Sequence, residues 1–246
     1  MAENFSRAGN SADTTPCSAC AVRDHAICAS LDCHERKEFI RLGRQVTIPK
    51  GQMLMWEGEE AALVANVVEG AMMLTTSTSD GREQIVGVVY PSDFIGRPFG
   101  KESPHNVTAL TESRLCLFSR SAFDKFARSH SDLEHRLLRR TLDELDRARK
   151  WMLLLGRKSA SEKIATFLLD ISRRLARKDD QDGPAPLDRF ILPLGRQQIA
   201  DILGLTIETV SRQLSEMKGT GVIALPDRRT VEILDRPRLE ALAEQA

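Results

Sequence analysis

Between Val46 and about Arg120, apolar residues fall in short runs of four to eight, broken by Gly51, Gly58, Gly70, Gly81 and Gly96. Such runs predict strands, and the glycines stand where turns need a residue free of Cβ. The stretch "SDGR" predicts a hairpin tip. Many strands with no intervening helix point to a β-sandwich, roll or barrel. A short helical signal, "HERKEFIRL", precedes this region. Helical texture returns at Ser121. From Asp132 to Gly156 the chain has neither Pro nor Gly until its end, and one heptad seam fits it. Leu138, Leu145 and Met152 occupy one seam position, with Thr141, Ala148 and Leu155 at the other. That alternation predicts helices meeting along their length as a weak pair. A further helix opens at Ser159 with Glu162 three residues on, the spacing of a capping box. After the polar loop "DDQDGPAPLD" come a strand, "RFILPL", and a compact helical unit from Gly195.

That last unit carries the most specific pattern. In "LGRQQIADILGLTIETVSRQL", a helix over Arg196–Leu203 holds a small Ala200, Gly204 supplies a tight turn, and Thr206 is placed to cap a second helix. This is the spacing of a helix-turn-helix. On the second helix Ile207, Val210 and Leu214 share the expected core face. Glu208, Ser211 and Arg212 share the opposite face, and these side chains suit base edges in a major groove. Thr206, at the helix start, is placed for a phosphate, and Arg196, at the start of the first helix, is a further candidate for DNA contact. "VIALPDRRTVEIL" then predicts a two-stranded wing with Arg228 and Arg229 at its tip.

Composition narrows the classes left open. Thirty-five basic and 35 acidic residues leave a formal net charge of zero, so any nucleic-acid surface must be local. The polar segment 1–16 lacks an apolar signal region and is expected to be disordered. No apolar run is long enough for a membrane helix, so the chain reads as cytoplasmic, where thiols stay reduced. Neither a P-loop, a Ser/His/Asp set nor a paired-carboxylate cleft is legible, which argues against an enzyme. Four of the five cysteines lie at 17, 20, 28 and 33, and the fifth is Cys116. An odd count in a reducing compartment makes a disulfide framework the weakest reading. By itself the C-x2-C-x7-C-x4-C spacing allows a local zinc site, and thiolates also suit iron–sulfur clusters. His25 reads as solvated.

The motifs "DFIG", "MLLLGRKSASEKIATFL", "ISRRLA" and "IADILGLTIETVSR" resemble the Crp/Fnr superfamily, and its Fnr branch of the FnrL/FnrN form in particular. The resemblance implies an α+β fold with four parts. These are a tail and cysteine segment (1–36), a double-stranded β-roll sensor domain (37–131), a dimerisation helix (132–156) and a winged helix-turn-helix (157–246). It implies a homodimer reading palindromic TTGAT-like half-sites through Glu208, Ser211 and Arg212, and activating transcription by touching RNA polymerase. The loop 97–105 is the candidate surface for that contact. Cyclic-nucleotide binders of the family carry Gly-Glu after the "F-I" strand and an Arg-Ser pair further on. Here Gly96-Arg97 and His105-Asn106 stand at those places, so no cyclic nucleotide is expected. The spacing Cys17-x2-Cys20-x7-Cys28 with Cys116 is similar to the ligand set of a [4Fe–4S] cluster in the FnrL/FnrN form, which leaves Cys33 surplus. The implied action is oxygen-responsive: ligation folds a segment with little core of its own onto the β-domain and favours pairing, and oxygen reverses this.

Overall fold

The computed structural model describes residues 20–176 and 186–244. Cys17, the segment 1–16 expected to be disordered, and most of the "DDQDGPAPLD" loop lie outside the described residues. The chain forms two compact units, one running to Met73 and resuming over Val89–Leu137, the other made of Leu74–Val88 and everything from Leu138.

The first helix, α1 (Cys33–Arg41), starts at a capping box. The Asp32 carboxylate accepts from the His34 and Glu35 amides at 2.7 and 2.8 Å, and Glu35 accepts in return from the Asp32 amide at 2.9 Å. The strands follow as β1 (Gly43–Ile48), β2 (Met53–Met55), β3 (Leu63–Glu69), β4 (Met72–Ser77), β5 (Glu83–Val89), β6 (Phe94–Gly96), β7 (Asn106–Ala109) and β8 (Ser113–Ser119). They form two four-stranded sheets ordered β1-β8-β3-β6 and β2-β7-β4-β5, the expected β-roll. All five glycines predicted at turns have positive φ. At Gly96 (φ 103°) a Cβ would come within 2.7 Å of the Leu63 carbonyl oxygen, so close strand approach also requires glycine there.

Alternation along β8 builds a face that matters below. Leu115 and Leu117 are buried on one side, while Cys116 and Phe118 lie on the other. On that second side Phe118 stacks on Phe39 of α1 with centroids 4.4 Å apart. Phe123 and Phe126 of α2 (Arg120–Ala127) pack round the same ring of Phe39. Val22, Ala26, Ile27 and Leu31 from the cysteine segment are buried in this cluster. The expectation that this segment has little core of its own is therefore corrected. Ile27 alone is fully buried, which is worth about 1.5–3 kcal/mol.

The long helix α3 spans Ser131–Arg157, one residue beyond the predicted span at each end. Residues 141–150 are exposed on every side. In the second unit α4 (Ala160–Arg174) starts at the predicted capping box, with the Ser159 amide donating to Glu162 at 2.7 Å and the Glu162 amide to Ser159 at 3.4 Å. Then come β9 (Arg189–Ile191), α5 (Arg196–Leu203), α6 (Ile207–Gly219), β10 (Ile223–Ala224), β11 (Thr230–Ile233) and α7 (Arg236–Glu244). The predicted strand and wing join in one sheet of order β10-β11-β9. The sequence reading does not anticipate α7, although Asp235 accepting from the Arg238 amide at 3.0 Å, with Pro237 in the first turn, is a helix-start signal.

Candidate nucleic-acid interface and cysteine site

The turn between α5 and α6 is held from three sides. Gly204 adopts φ 61° and ψ 43°, and the Leu205 amide bonds to the Ala200 carbonyl at 2.9 Å. Ala200 is fully buried, as close packing of the two helices needs. From α4 the buried Lys163 donates its Nζ to the Leu203 carbonyl at 3.2 Å, so a cation meets the C-terminal end of α5. Thr206 caps α6, accepting from the Thr209 amide at 3.2 Å.

This arrangement leaves Glu208, Ser211 and Arg212 exposed on one face of α6, with Val210 and Leu214 buried beneath. Ile207 departs from its predicted core position, being 37% exposed, and Met217 completes the buried face instead. The backbone N–H of Glu208 and the Thr206 hydroxyl hold the Glu208 carboxyl below the usual carboxylate range, so it stays an acceptor. Arg212 Nε lies 4.0 Å from Glu216, a loose surface pair of little energetic weight. Arg196 is half-buried, and burial lowers its pKa. Arg228 and Arg229 are exposed beside a turn closed by Asp227.

At the cysteines, strand register and the segment's anchor act together. Cys28 sits within the apolar cluster, and Cys20 and Cys116 pack against it. Cys33 is exposed on the first turn of α1. Burial pushes the Cys28 thiol upward, with the neighbouring Cys20 thiolate adding to the effect and the guanidiniums of Arg36 and Arg136 opposing it. Cys116 is pushed up to about 12, by burial first and then by Cys28 and Cys20. Cys20 thus lies close enough to Cys28 and Cys116, and Cys28 to Cys116, to disfavour their ionisation. Among the described residues no three His, Cys, Asp or Glu side chains converge on a point that would hold a single metal ion.

The chain round these thiols is tied to α3. Arg136 donates its Nε to the Ala26 carbonyl at 3.0 Å and its Nη2 to the His25 carbonyl at 3.1 Å. Arg36 donates to the Leu31 carbonyl at 2.8 Å. His25, read as solvated, is half-buried. No local sequence pattern marks Arg136, because its partners lie over a hundred residues upstream.

Two further sequence-predicted positions are settled by hydrogen bonding. Asn106, at the place of a phosphate contact in cyclic-nucleotide binders, accepts from the Glu57 amide at 2.9 Å. The 97–105 loop is fixed by the Phe99 amide donating to the buried Asp124 at 3.1 Å, and it holds Phe99 at φ 59° and 46% exposed.

On α3 the exposed large apolar residues are Leu138, Leu142, Leu145, Met152, Leu153 and Leu155. Four of these belong to the predicted seam. Leu142 and Leu153 widen it, and with Leu138, Leu145 and Met152 they span an arc of about 100° at 3.6 residues per turn.

Comparison with known proteins agrees with both units. Residues 162–242 match the Crp-like helix-turn-helix domain, and residues 45–130 match the cyclic nucleotide-binding domain. The chain is 44% identical over 223 residues to the transcriptional activator protein FnrL of Cereibacter sphaeroides, covering 91% of this chain and 90% of the relative. It is 40% identical to the nitrogen fixation regulation protein FixK of Bradyrhizobium diazoefficiens, covering 92% and 93%. The solved structure of FixK2 from Bradyrhizobium japonicum superposes with a TM-score of 0.75 at 35% identity, covering 83% of this chain and 98% of that one. With a β-roll, a long helix and a winged helix-turn-helix in that order, the chain belongs to the Crp/Fnr family of DNA-binding transcription regulators.

Proposed function

We propose that this regulator responds to oxygen through a [4Fe–4S] cluster held by Cys17, Cys20, Cys28 and Cys116, and that it binds palindromic TTGAT-like half-sites as a homodimer. The observation that carries this reading is the gathering of Cys20 and Cys28 with Cys116 on β8, while Cys33 stands exposed and apart. A local zinc site built from Cys17, Cys20, Cys28 and Cys33 is the second reading, and the exposure of Cys33 speaks against it. Four soft thiolates fit a cubane in charge and chemistry. When bound, such a cluster supplies an oxygen-labile crosslink between the N-terminal segment and β8.

The protein's own groups then convert that crosslink into pairing. Arg136 grips two carbonyls of the cysteine segment and stands two residues before Leu138, where the exposed stripe of α3 begins. A segment fixed in place fixes this first part of the helix. In the predicted heptad Glu144 and Arg149 fall at the g and e positions, which pair across a parallel two-stranded seam. Their charges are complementary for a second copy of this chain. Each dimer presents two α6 helices, and two-fold symmetry asks for a palindromic site. Glu208, Ser211 and Arg212 read bases, Thr206 and Arg196 meet phosphates, and the 97–105 loop with its exposed Phe99 meets RNA polymerase.

Purification without oxygen followed by exposure to air tests the reading. The expected result is a straw-brown chromophore near about 400 nm that bleaches in air with loss of dimer. Cys28→Ser should abolish the colour and Cys33→Ser should leave it intact. A colourless protein that stays dimeric and binds DNA in air would overturn the proposal.

A further inference from the structure

Cys116 does not stand alone on its face of the roll. In the β1–β8 ladder its direct partner is Gln45, and in the β3–β8 ladder it is Asn66. Directly opposed residues on adjacent antiparallel strands project to the same side, with Cβ atoms about 4.5–5.5 Å apart. The sulfur is therefore bracketed by two carboxamides, one from each neighbouring strand. Asn66 is only 2% exposed. Its Oδ1 and the Oε1 of Gln45 are both buried with no hydrogen-bond partner among the described residues.

Two orphaned amide oxygens beside one sulfur are a costly arrangement, since each buried unsatisfied polar atom costs about 1–3 kcal/mol. A carboxamide carries an acceptor and two N–H donors on one planar group, and a half-turn about its last torsion exchanges them. A neutral thiol offers these two groups a single weak donor. A metal-bound thiolate instead offers lone pairs, and both amides can then turn their N–H groups inward.

We propose that Asn66 and Gln45 are positioning residues for Cys116, each donating a carboxamide N–H to its sulfur once that sulfur is a metal-bound thiolate. The inference rests on the cysteine reading above and goes beyond it by assigning a pair of groups outside the ligand set. Hydrogen bonds to ligand sulfur delocalise its charge and steady the metal–sulfur bond, and such outer partners typically change metal retention by tenfold or more. Neither residue is marked by spacing in the sequence. Their role arises from register alone.

The test compares the anaerobically loaded full chain with Asn66→Leu and Gln45→Met, which keep side-chain volume and remove the amide. Iron release to a ferrous chelator without oxygen should be about tenfold faster in each variant. The thermal midpoint of the metal-free Asn66→Leu protein should match or exceed that of the wild type, because an unsatisfied buried oxygen has been removed. A merely structural role would lower that midpoint and leave release unchanged. Gln45, on the edge strand β1, serves if Asn66→Leu does not fold. A coloured wild type whose variants keep iron equally well would overturn the amide assignment and leave the cluster reading standing. A wild type without iron colour, unaltered by Cys116→Ser, would overturn both.

Discussion

At the tip of the wing one carboxylate organises a turn. Asp227 accepts from the Arg229 and Thr230 amides and from the Thr230 hydroxyl, each at 2.7 Å. These bonds, that of Arg229 foremost, hold its carboxyl below the usual range. A group depressed on folding contributes stability above its unfolded pKa, near about 4, and loses that contribution as pH falls through its lower folded value. Asp227→Asn keeps the shape without the charge. Thermal melts of the full chain should show the variant less stable at pH 7, with the gap to wild type closing below about pH 4. A gap that stays constant down to acid would mean the charge is irrelevant. The exposed trio Glu208, Ser211 and Arg212 on α6 was legible in the sequence because a helical period and one turn glycine place it. Asn66 and Gln45 were not, since the strand pairing that brings them beside Cys116 joins it to positions 50 and 71 residues away, with no shared motif.

Among the elements, α3 shows what periodicity can and cannot deliver. Its extent was predicted almost to the residue, but the heptad template chose Thr141 and Ala148 where the exposed apolar surface also takes in Leu142 and Leu153. A 3.5-residue seam and a straight 3.6-residue helix drift apart along their length, and this broadens the stripe. Leu145 lies in both versions. Burying a leucine is worth about 1.5–3 kcal/mol, and a dimer does so twice. Leu145→Ala should therefore weaken anaerobic dimerisation roughly a hundredfold in Kd, read by sedimentation. Glu144→Arg should weaken it by a smaller factor, and adding Arg149→Glu should restore it if the helices run parallel. Failure of that restoration would show the two charges never face each other. Ile207 carries the complementary lesson: the helical period assigns a residue to a face but not to a depth, and Ile207 is exposed where Val210, Leu214 and Met217 are buried.

Across the whole molecule, the order of parts was readable because each has its own period and its own punctuation. What joins them was not, and Arg136 is the plainest case. Its two bonds to Ala26 and His25 span a distance in sequence that no window covers. Arg136→Gln should leave the visible spectrum of the loaded protein intact while making dimer formation less dependent on it. Equal loss of dimer with and without the chromophore would instead assign Arg136 a purely structural part.

The apolar anchor of the cysteine segment bears on the cost of assembling the proposed site. Cys28 and Cys116 are 88 residues apart in sequence, and bringing such ends together in a free chain costs about 4 kcal/mol of closure entropy. Burial of Val22, Ala26, Ile27 and Leu31 in the cluster offsets part of that cost. A thiol-bound group of the kind proposed has correspondingly less of it to supply.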